Sequence, residues 1–162
     1  MFNFLKKKNS VDLLAPVSGT VIAIEEVKDS VFSEKMMGDG FAIDTTGSTF
    51  VACDSGVITM IFETKHAYGM TLSNGVEILV HIGLDTVKEK GTGFKALVSE
   101  GEQVEAGTPI IEIDREYLLD KGYDLTTPVI FTNQSTYKSI EANLGKKVIA
   151  GKDIAATYIK KD

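Results

Sequence analysis

The chain has 162 residues, of which 43% are hydrophobic and 25% charged, with a formal net charge of −6 and one cysteine. This length carries one domain with a real core, the acidic balance disfavours nucleic acid as a partner, and a lone Cys53 excludes an intrachain disulfide or a multi-cysteine metal site. No stretch is long and apolar enough for stable membrane insertion.

In MFNFLKKKNS the apolar run is too short for a signal peptide, and the charges follow it. Residues 1–10 are therefore expected to form a flexible N-terminal tail, and 11–162 a single domain of a free-standing, cytoplasmic protein. From there the chain is a series of short apolar runs between turn signals, among them GTVIAIEEV, GFAIDTTG, TFVACDSG, GVITMIFET, TPIIEID and TPVIFTN. Only FSEKMMG near residue 35 and DREYLLDKG near residue 118 read as helices, and both are short. The pattern predicts an all-β fold, a compact antiparallel β-sandwich or barrel with at most short helices. Two echoes point to pseudo-repeated strand-turn elements. APVSGTVI at 15–22 is answered by ACDSGVI at 52–58, each with Ser-Gly before a β-branched strand start. GEQVEAGTPI at 101–110 is answered by GKKVIAGKDI at 145–154, with five of ten positions identical. Cys53, at a strand end or turn, reads as a small structural residue.

The chain has two histidines. In MIFETKHAYGM, an extended 62–66 would put Phe62, Thr64 and His66 on one face, where the Thr64 hydroxyl orients one ring nitrogen of His66. SNG at 73–75 is a hairpin signal. The histidines sit near the far ends of the two strands it joins, so antiparallel pairing makes them neighbours. In GVEILVHIGLDTV, residues Val76, Ile78, Val80 and Ile82 share one face at period two and read as core. Glu77, Leu79 and His81 share the other, less buried face. Gly83 ends the strand, and Asp85 and Thr86 follow where polar groups can point back at the imidazole.

Two adjacent imidazoles with a carboxylate allow three chemistries. They bind zinc if Asp85 or a distant Glu adds a third ligand. One ring nitrogen attacks a phosphoryl group while the other imidazole donates to its charged oxygens. Or the pair runs acid–base hydrolysis. Spacing alone leaves these open.

The sequence resembles the glucose-type enzyme IIA domain of the bacterial phosphoenolpyruvate-dependent sugar phosphotransferase system, from about Val11 to the C-terminus. The motifs that carry the likeness are GVEILVHIGLDTV, IFETKHA, LAPVSGTVIAIEEVKDSVFSEKMMGDGFAI and KGTGFKALVSEGEQVEAGTPIIEID. The resemblance implies a phosphoryl carrier, a phosphotransferase component with no required cofactor. It would accept a phosphoryl group from a small histidine-containing phosphocarrier protein and pass it to a cysteine of the enzyme IIB domain of a permease for a glucose-family sugar. By the same resemblance His81 is phosphorylated through Nε2, His66 stabilises the phosphoryl oxygens, Thr64 orients His66, and Asp85 organises the site. In some members the two histidines, here His66 and His81, also bind zinc at a contact where another protein supplies a carboxylate. Partners that read the phosphorylation state are compatible with this.

The chain departs from the family at Ala52-Cys53, where Ala-Pro is frequent, and at Leu79 and Ile82, where phenylalanine is frequent. Phe32, Met36, Met37, Phe62 and Leu79 are candidates for an apolar docking ring around the histidines, with Ile82 and Val87 beside it; Met packs adaptably against different partners. Two other classes compete. A zinc hydrolase would need a third histidine, and a biotinyl or lipoyl carrier domain would need a lysine at a hairpin tip.

Overall fold

A computed structural model describes residues 9–162. Of the tail expected over 1–10, residues 1–8 lie outside the described part, and Ser10 already belongs to a strand. Fourteen strands occur among the described residues: β1 Ser10–Leu14, β2 Gly19–Ala23, β3 Asp39–Thr45, β4 Thr49–Val51, β5 Gly56–Ile61, β6 Ala67–Leu72, β7 Glu77–His81, β8 Phe94–Ala96, β9 Gln103–Val104, β10 Pro109–Ile113, β11 Thr127–Phe131, β12 Tyr137–Ala142, β13 Lys147–Val148 and β14 Ile154–Lys160. The α-helices among the described residues are α1 Ser30–Ser33 and α2 Arg115–Asp120. The fold is therefore the mostly antiparallel β architecture that the short runs predict. No helix among the described residues is long and apolar enough to cross a membrane.

Three sheets carry the strands. The largest has eight, in the order β13-β2-β3-β11-β7-β6-β5-β9, and two three-stranded sheets run β1-β14-β12 and β4-β10-β8. Among the described residues every strand pairing is antiparallel.

The sequence echoes fall at the two ends of the eight-stranded sheet. Gly19 of β2 pairs with Val148 of β13, and Gly56 of β5 pairs with Val104 of β9. The Ser18 hydroxyl accepts from the Ala150 N–H at 3.0 Å, and the Ser55 hydroxyl accepts from the Ala106 N–H at 3.1 Å. The Gly151 N–H donates to Ala15 O and the Gly107 N–H to Ala52 O, both at 2.8 Å. These matched contacts make the repeat structural rather than a coincidence of turn residues. They also explain its glycines. A Cβ on Gly19 would stand 2.2 Å from the Asp44 carbonyl oxygen, and one on Gly56 2.3 Å from that of Thr71, so neither position admits a side chain without moving the neighbouring strand.

The first helix starts earlier than FSEKMMG suggests. The Asp29 carboxylate accepts from the Val31 N–H at 3.0 Å and caps it, and Lys35, with φ of 60°, turns the chain away after Ser33. The second helix is capped in the same way, Asp114 accepting from the Tyr117 N–H at 3.1 Å.

Alternation along the central strands divides the apolar residues between the two faces of the large sheet. Phe41, Ile43, Ile78, Val80, Val129 and Phe131 belong to the main core. Ala42, Leu79 and Ile130, one residue out of phase, join a smaller cluster with Ile24, Val27, Phe32, Ala67 and Leu84. This smaller cluster forms the floor beneath the histidines.

Candidate functional site

The hairpin signal at 73–75 closes β6 onto β7. The Leu72 N–H bonds to Val76 O at 2.8 Å, and the Asn74 side chain accepts from the Val76 N–H at 3.1 Å. Ala67 pairs with His81 at the far end, and the Ile82 N–H reaches His66 O at 2.7 Å. The ladder thus brings the two imidazoles side by side, with ring centroids 4.9 Å apart at 84°. The neighbour relation expected from the spacing is present.

Residues 62–66 are not extended. They form the reversal joining β5 to β6, with Phe62 N–H on Ala67 O at 3.0 Å, Lys65 N–H on Phe62 O at 2.7 Å, and Lys65 at φ of 59°. Because β5 and β6 pair with each other, the link must double back, and an extended segment would overshoot. The turn nevertheless brings Thr64 Oγ1 to 2.6 Å from His66 Nδ1. Thr64 and His66 meet by curling, not by alternation.

His81 Nδ1 lies 2.8 Å from Gly83 O. A carbonyl oxygen only accepts, so Nδ1 carries the proton, and in the neutral ring Nε2 keeps its lone pair. For His66 the Thr64 hydroxyl can play either part. When Thr64 donates to Nδ1, the His66 Nε2–H becomes a donor toward whatever sits between the rings.

Both rings favour the neutral state. Burial, and then the neighbouring His81, push His66 down to about 4. Burial also lowers His81, against the opposing pull of the Gly83 carbonyl and the charges of Asp29 and Asp85. Asp85 is exposed, with φ of 60°, just ahead of the 3-10 turn Thr86–Glu89. It acts on His81 through charge. The Thr86 hydroxyl donates to Ile82 O at 2.5 Å instead of facing the imidazole. Asp29 was missed in the sequence. Its signal was a helix cap, D-S-V-F-S, placed directly before Phe32.

The apolar candidates separate by position. Phe32 packs on His81 with centroids 4.9 Å apart, and Phe62 meets His66 edge-on at 5.2 Å. Met36, Met37 and Val87 stand out at 70%, 43% and 48% exposure. Leu79 is buried, covered by the Phe32 and Leu84 side of the smaller cluster. Ile82 belongs to the main core and offers no surface; its place beside His81 in the chain does not outweigh its strand face. An Asp at 79 is therefore expected to unfold the protein rather than to leave a folded one with weaker docking.

Two other reactive or charged side chains are structural. Cys53 is buried, and its thiol is pushed up to about 12 by burial, so it is inert. Arg115 is spent on holding the 45–47 segment, donating to Thr45 O at 2.5 Å, Thr45 Oγ1 at 2.9 Å and Gly47 O at 3.1 Å. Among the described residues no three His, Cys, Asp or Glu side chains gather as a metal site. The two imidazoles are thus short of a closed zinc set, and the hydrolase reading lacks its third ligand. A surface concavity of about 600 Å³ lined by Ser48, Phe94, Glu112 and Arg115 contains neither histidine.

Residues 11–137 match the family described as phosphoenolpyruvate-dependent sugar phosphotransferase system, EIIA 1. Over 151 residues the chain is 44% identical to the PTS system glucose-specific EIIA component of Bacillus cereus, covering 93% of this chain and 92% of that one. It is 40% identical over 144 residues to the PTS system N-acetylglucosamine-specific EIICBA component of Klebsiella pneumoniae, covering 89% of this chain and 22% of that longer protein. Among solved structures, glucose permease IIA from Mycoplasma capricolum superposes with a TM-score of 0.83 at 40% identity, covering 95% of this chain and 97% of the other.

Proposed function

The chain belongs to the EIIA 1 family of the phosphoenolpyruvate-dependent sugar phosphotransferase system, and on that premise we propose that His81 is the residue that carries the phosphoryl group. As a phosphotransferase component, the protein moves phosphate between the histidine-containing phosphocarrier protein and enzyme IIB. The observation that carries the assignment is the His81 Nδ1 to Gly83 O bond at 2.8 Å, because it leaves Nε2 as the nucleophile of a neutral ring.

The chemistry follows from that ring. The Nε2 lone pair attacks the phosphorus of the carrier's phosphohistidine. A new N–P bond forms, the old one breaks, and the carrier's imidazole leaves with the electron pair. On delivery, the enzyme IIB cysteine thiolate attacks the same phosphorus and His81 is the leaving group. His66, with Thr64 donating to Nδ1, offers its Nε2–H to the phosphoryl oxygens where negative charge gathers. Its low proton affinity suits a neutral donor rather than a fixed cation. Asp85 and Asp29 bias His81 by charge and are available to a basic partner surface. Met36, Met37 and Val87 form the exposed apolar part of the rim, which excludes water when a partner docks.

The sugar is a glucose-family sugar, supported by relatives named for glucose and N-acetylglucosamine. Were zinc held here, His66 and His81 would be its ligands from this chain and a partner's carboxylate would have to complete the set, so weak binding is expected for the chain alone.

The test is to supply phosphoenolpyruvate, enzyme I and the carrier protein, then map the phosphorylated residue by mass spectrometry in alkaline conditions. Phosphate on His81 is expected. Phosphate on His66 with none on His81 overturns the assignment.

A further inference from the structure

Glu89 ends the 3-10 turn that follows Asp85. Each of its carboxylate oxygens accepts a phenol: Oε1 from the Tyr117 hydroxyl and Oε2 from the Tyr123 hydroxyl, both at 2.5 Å. Tyr117 lies on α2, and Tyr123 lies between α2 and β11. Both flank residues sunk in the main core, Leu118 at 0% and Leu125 at 4% exposure. Near the other end of the same loop, the Leu84 N–H donates to Asp124 O at 2.9 Å. The loop over residues 83–90 is thus pinned at both ends to the segment 117–125.

The opposite side of this loop is the phosphoryl site. The Gly83 carbonyl accepts from the His81 Nδ1–H, and Val87 stands exposed on the rim. Within the turn itself only Thr86 is buried. A surface turn with so few apolar contacts keeps its place through its polar ties, and losing them lets it open locally.

We propose that Glu89 is a positioning residue for phosphoryl transfer: by clamping the Tyr117 and Tyr123 hydroxyls, it fixes the loop whose Gly83 carbonyl holds His81 in its Nδ1-protonated form and whose Val87 meets the partner. The kinetic side of this rests on His81 as the acceptor; the structural side does not. The hydrogen bonds from the two phenols hold the Glu89 carboxyl below the usual carboxylate range, and Glu89 pushes Tyr123 up to about 12, so the clamp is an ionised acceptor with two protonated donors at neutral pH.

The test uses the full chain as wild type, Glu89→Ala, Glu89→Gln and the double variant Tyr117→Phe/Tyr123→Phe. Ring nitrogen-15 shifts of His81 report its tautomer, and steady-state transfer separates the KM for the phosphorylated carrier from the maximal rate. Glu89→Ala should lower the Nδ1–H population and raise that KM on the order of tenfold, within the range of coupling carried through packed contacts. Glu89→Gln should recover most of both, because an amide still accepts from one phenol. The double variant should match Glu89→Ala, and combining the two should add nothing further. If Glu89→Ala does not fold, the double variant carries the same readouts. An unchanged His81 tautomer in the folded variants overturns the proposal, whatever happens to their melting temperatures. A shifted tautomer with phosphate mapping to another residue would instead keep the clamp and overturn His81 as acceptor.

Discussion

On β7 the two faces of the large sheet can be compared residue by residue. Ile78 and Val80 on the strand, with Val76 and Ile82 just outside it, are at most 2% exposed and share one continuous core with residues from all three sheets. On the other face Leu79 is buried in a cluster of eight residues, and His81 follows it at the end of β7, only partly exposed. The first face is thick, and a cavity made there is shared by many neighbours. The second is a single layer, with Phe32 packed directly on the His81 ring. The same period-two pattern therefore separates residues of the main core from His81 and the cluster beside it, only one position apart.

The comparison breaks most completely at His81. His81→Ala is expected to abolish phosphoryl acceptance while the melting temperature stays close to wild type, since the ring caps the small cluster rather than filling the core. Acceptance by the variant in a coupled phosphoenolpyruvate assay would move the nucleophile elsewhere.

Next come the two apolar neighbours. Ile82→Ala should cost about 2–5 kcal/mol of stability, as buried aliphatic truncations do, without changing transfer in the molecules that stay folded. Leu79→Asp should be worse than its exposed-looking sequence position suggests, because it puts an unpaired carboxylate into the small cluster at a cost of a few kcal/mol. Denaturant melts read both. A stable, fully folded Leu79→Asp protein would mean that the small cluster opens to water.

His66→Gln sharpens the contrast between the two rings. Losing an oriented donor in a dry site costs on the order of 3 kcal/mol, roughly a hundredfold in rate. The loss should fall more on delivery to enzyme IIB than on acceptance from the carrier. Equal, near wild-type rates in both half-reactions would remove His66 from the mechanism. The same variant carries a pH signature. Folded His66 titrates at about 4 against a reference of 6.5, so between these values the unfolded chain binds the extra proton. Its contribution is complete above 6.5 and is lost as pH falls toward 4. Wild type should therefore lose more melting temperature than His66→Gln across that window. Parallel melting curves would show that His66 is not held neutral by burial.

The smallest effect on stability is expected at Met36, 70% exposed. Met36→Asp should leave the melt within about 0.5 kcal/mol, as exposed changes do, and raise the KM for partner proteins. An unchanged KM for both the carrier and enzyme IIB would take Met36 out of the rim.

Much of this was legible because the sequence pattern and the geometry obey the same constraint. The Ser-Gly and Val-x-Ala-Gly echoes are visible because Gly19 and Gly56 cannot carry a Cβ against the next strand. The histidine pairing is visible because hairpin register follows from counting outward from SNG. Less legible was anything made by a left-handed residue or by distant segments. Lys65 and Asp85 adopt positive φ without being glycine, so the turn that brings Thr64 to His66 looks like strand in the pattern. Alternation correctly put Leu79 opposite the main core, but nothing local says that α1 and Leu84 cover that face too. The Glu89 carboxylate meets phenols 28 and 34 residues away, beyond any local signal.

The central claim is that backbone geometry chooses the nucleophilic atom. It is tested most directly by nitrogen-15 NMR of the phosphorylated, ring-labelled protein, where phosphorus coupling identifies the bonded nitrogen. The bond from His81 Nδ1 to Gly83 O requires phosphate on His81 Nε2, with Nδ1 still protonated. Phosphate on His81 Nδ1, or on either nitrogen of His66, would contradict the account.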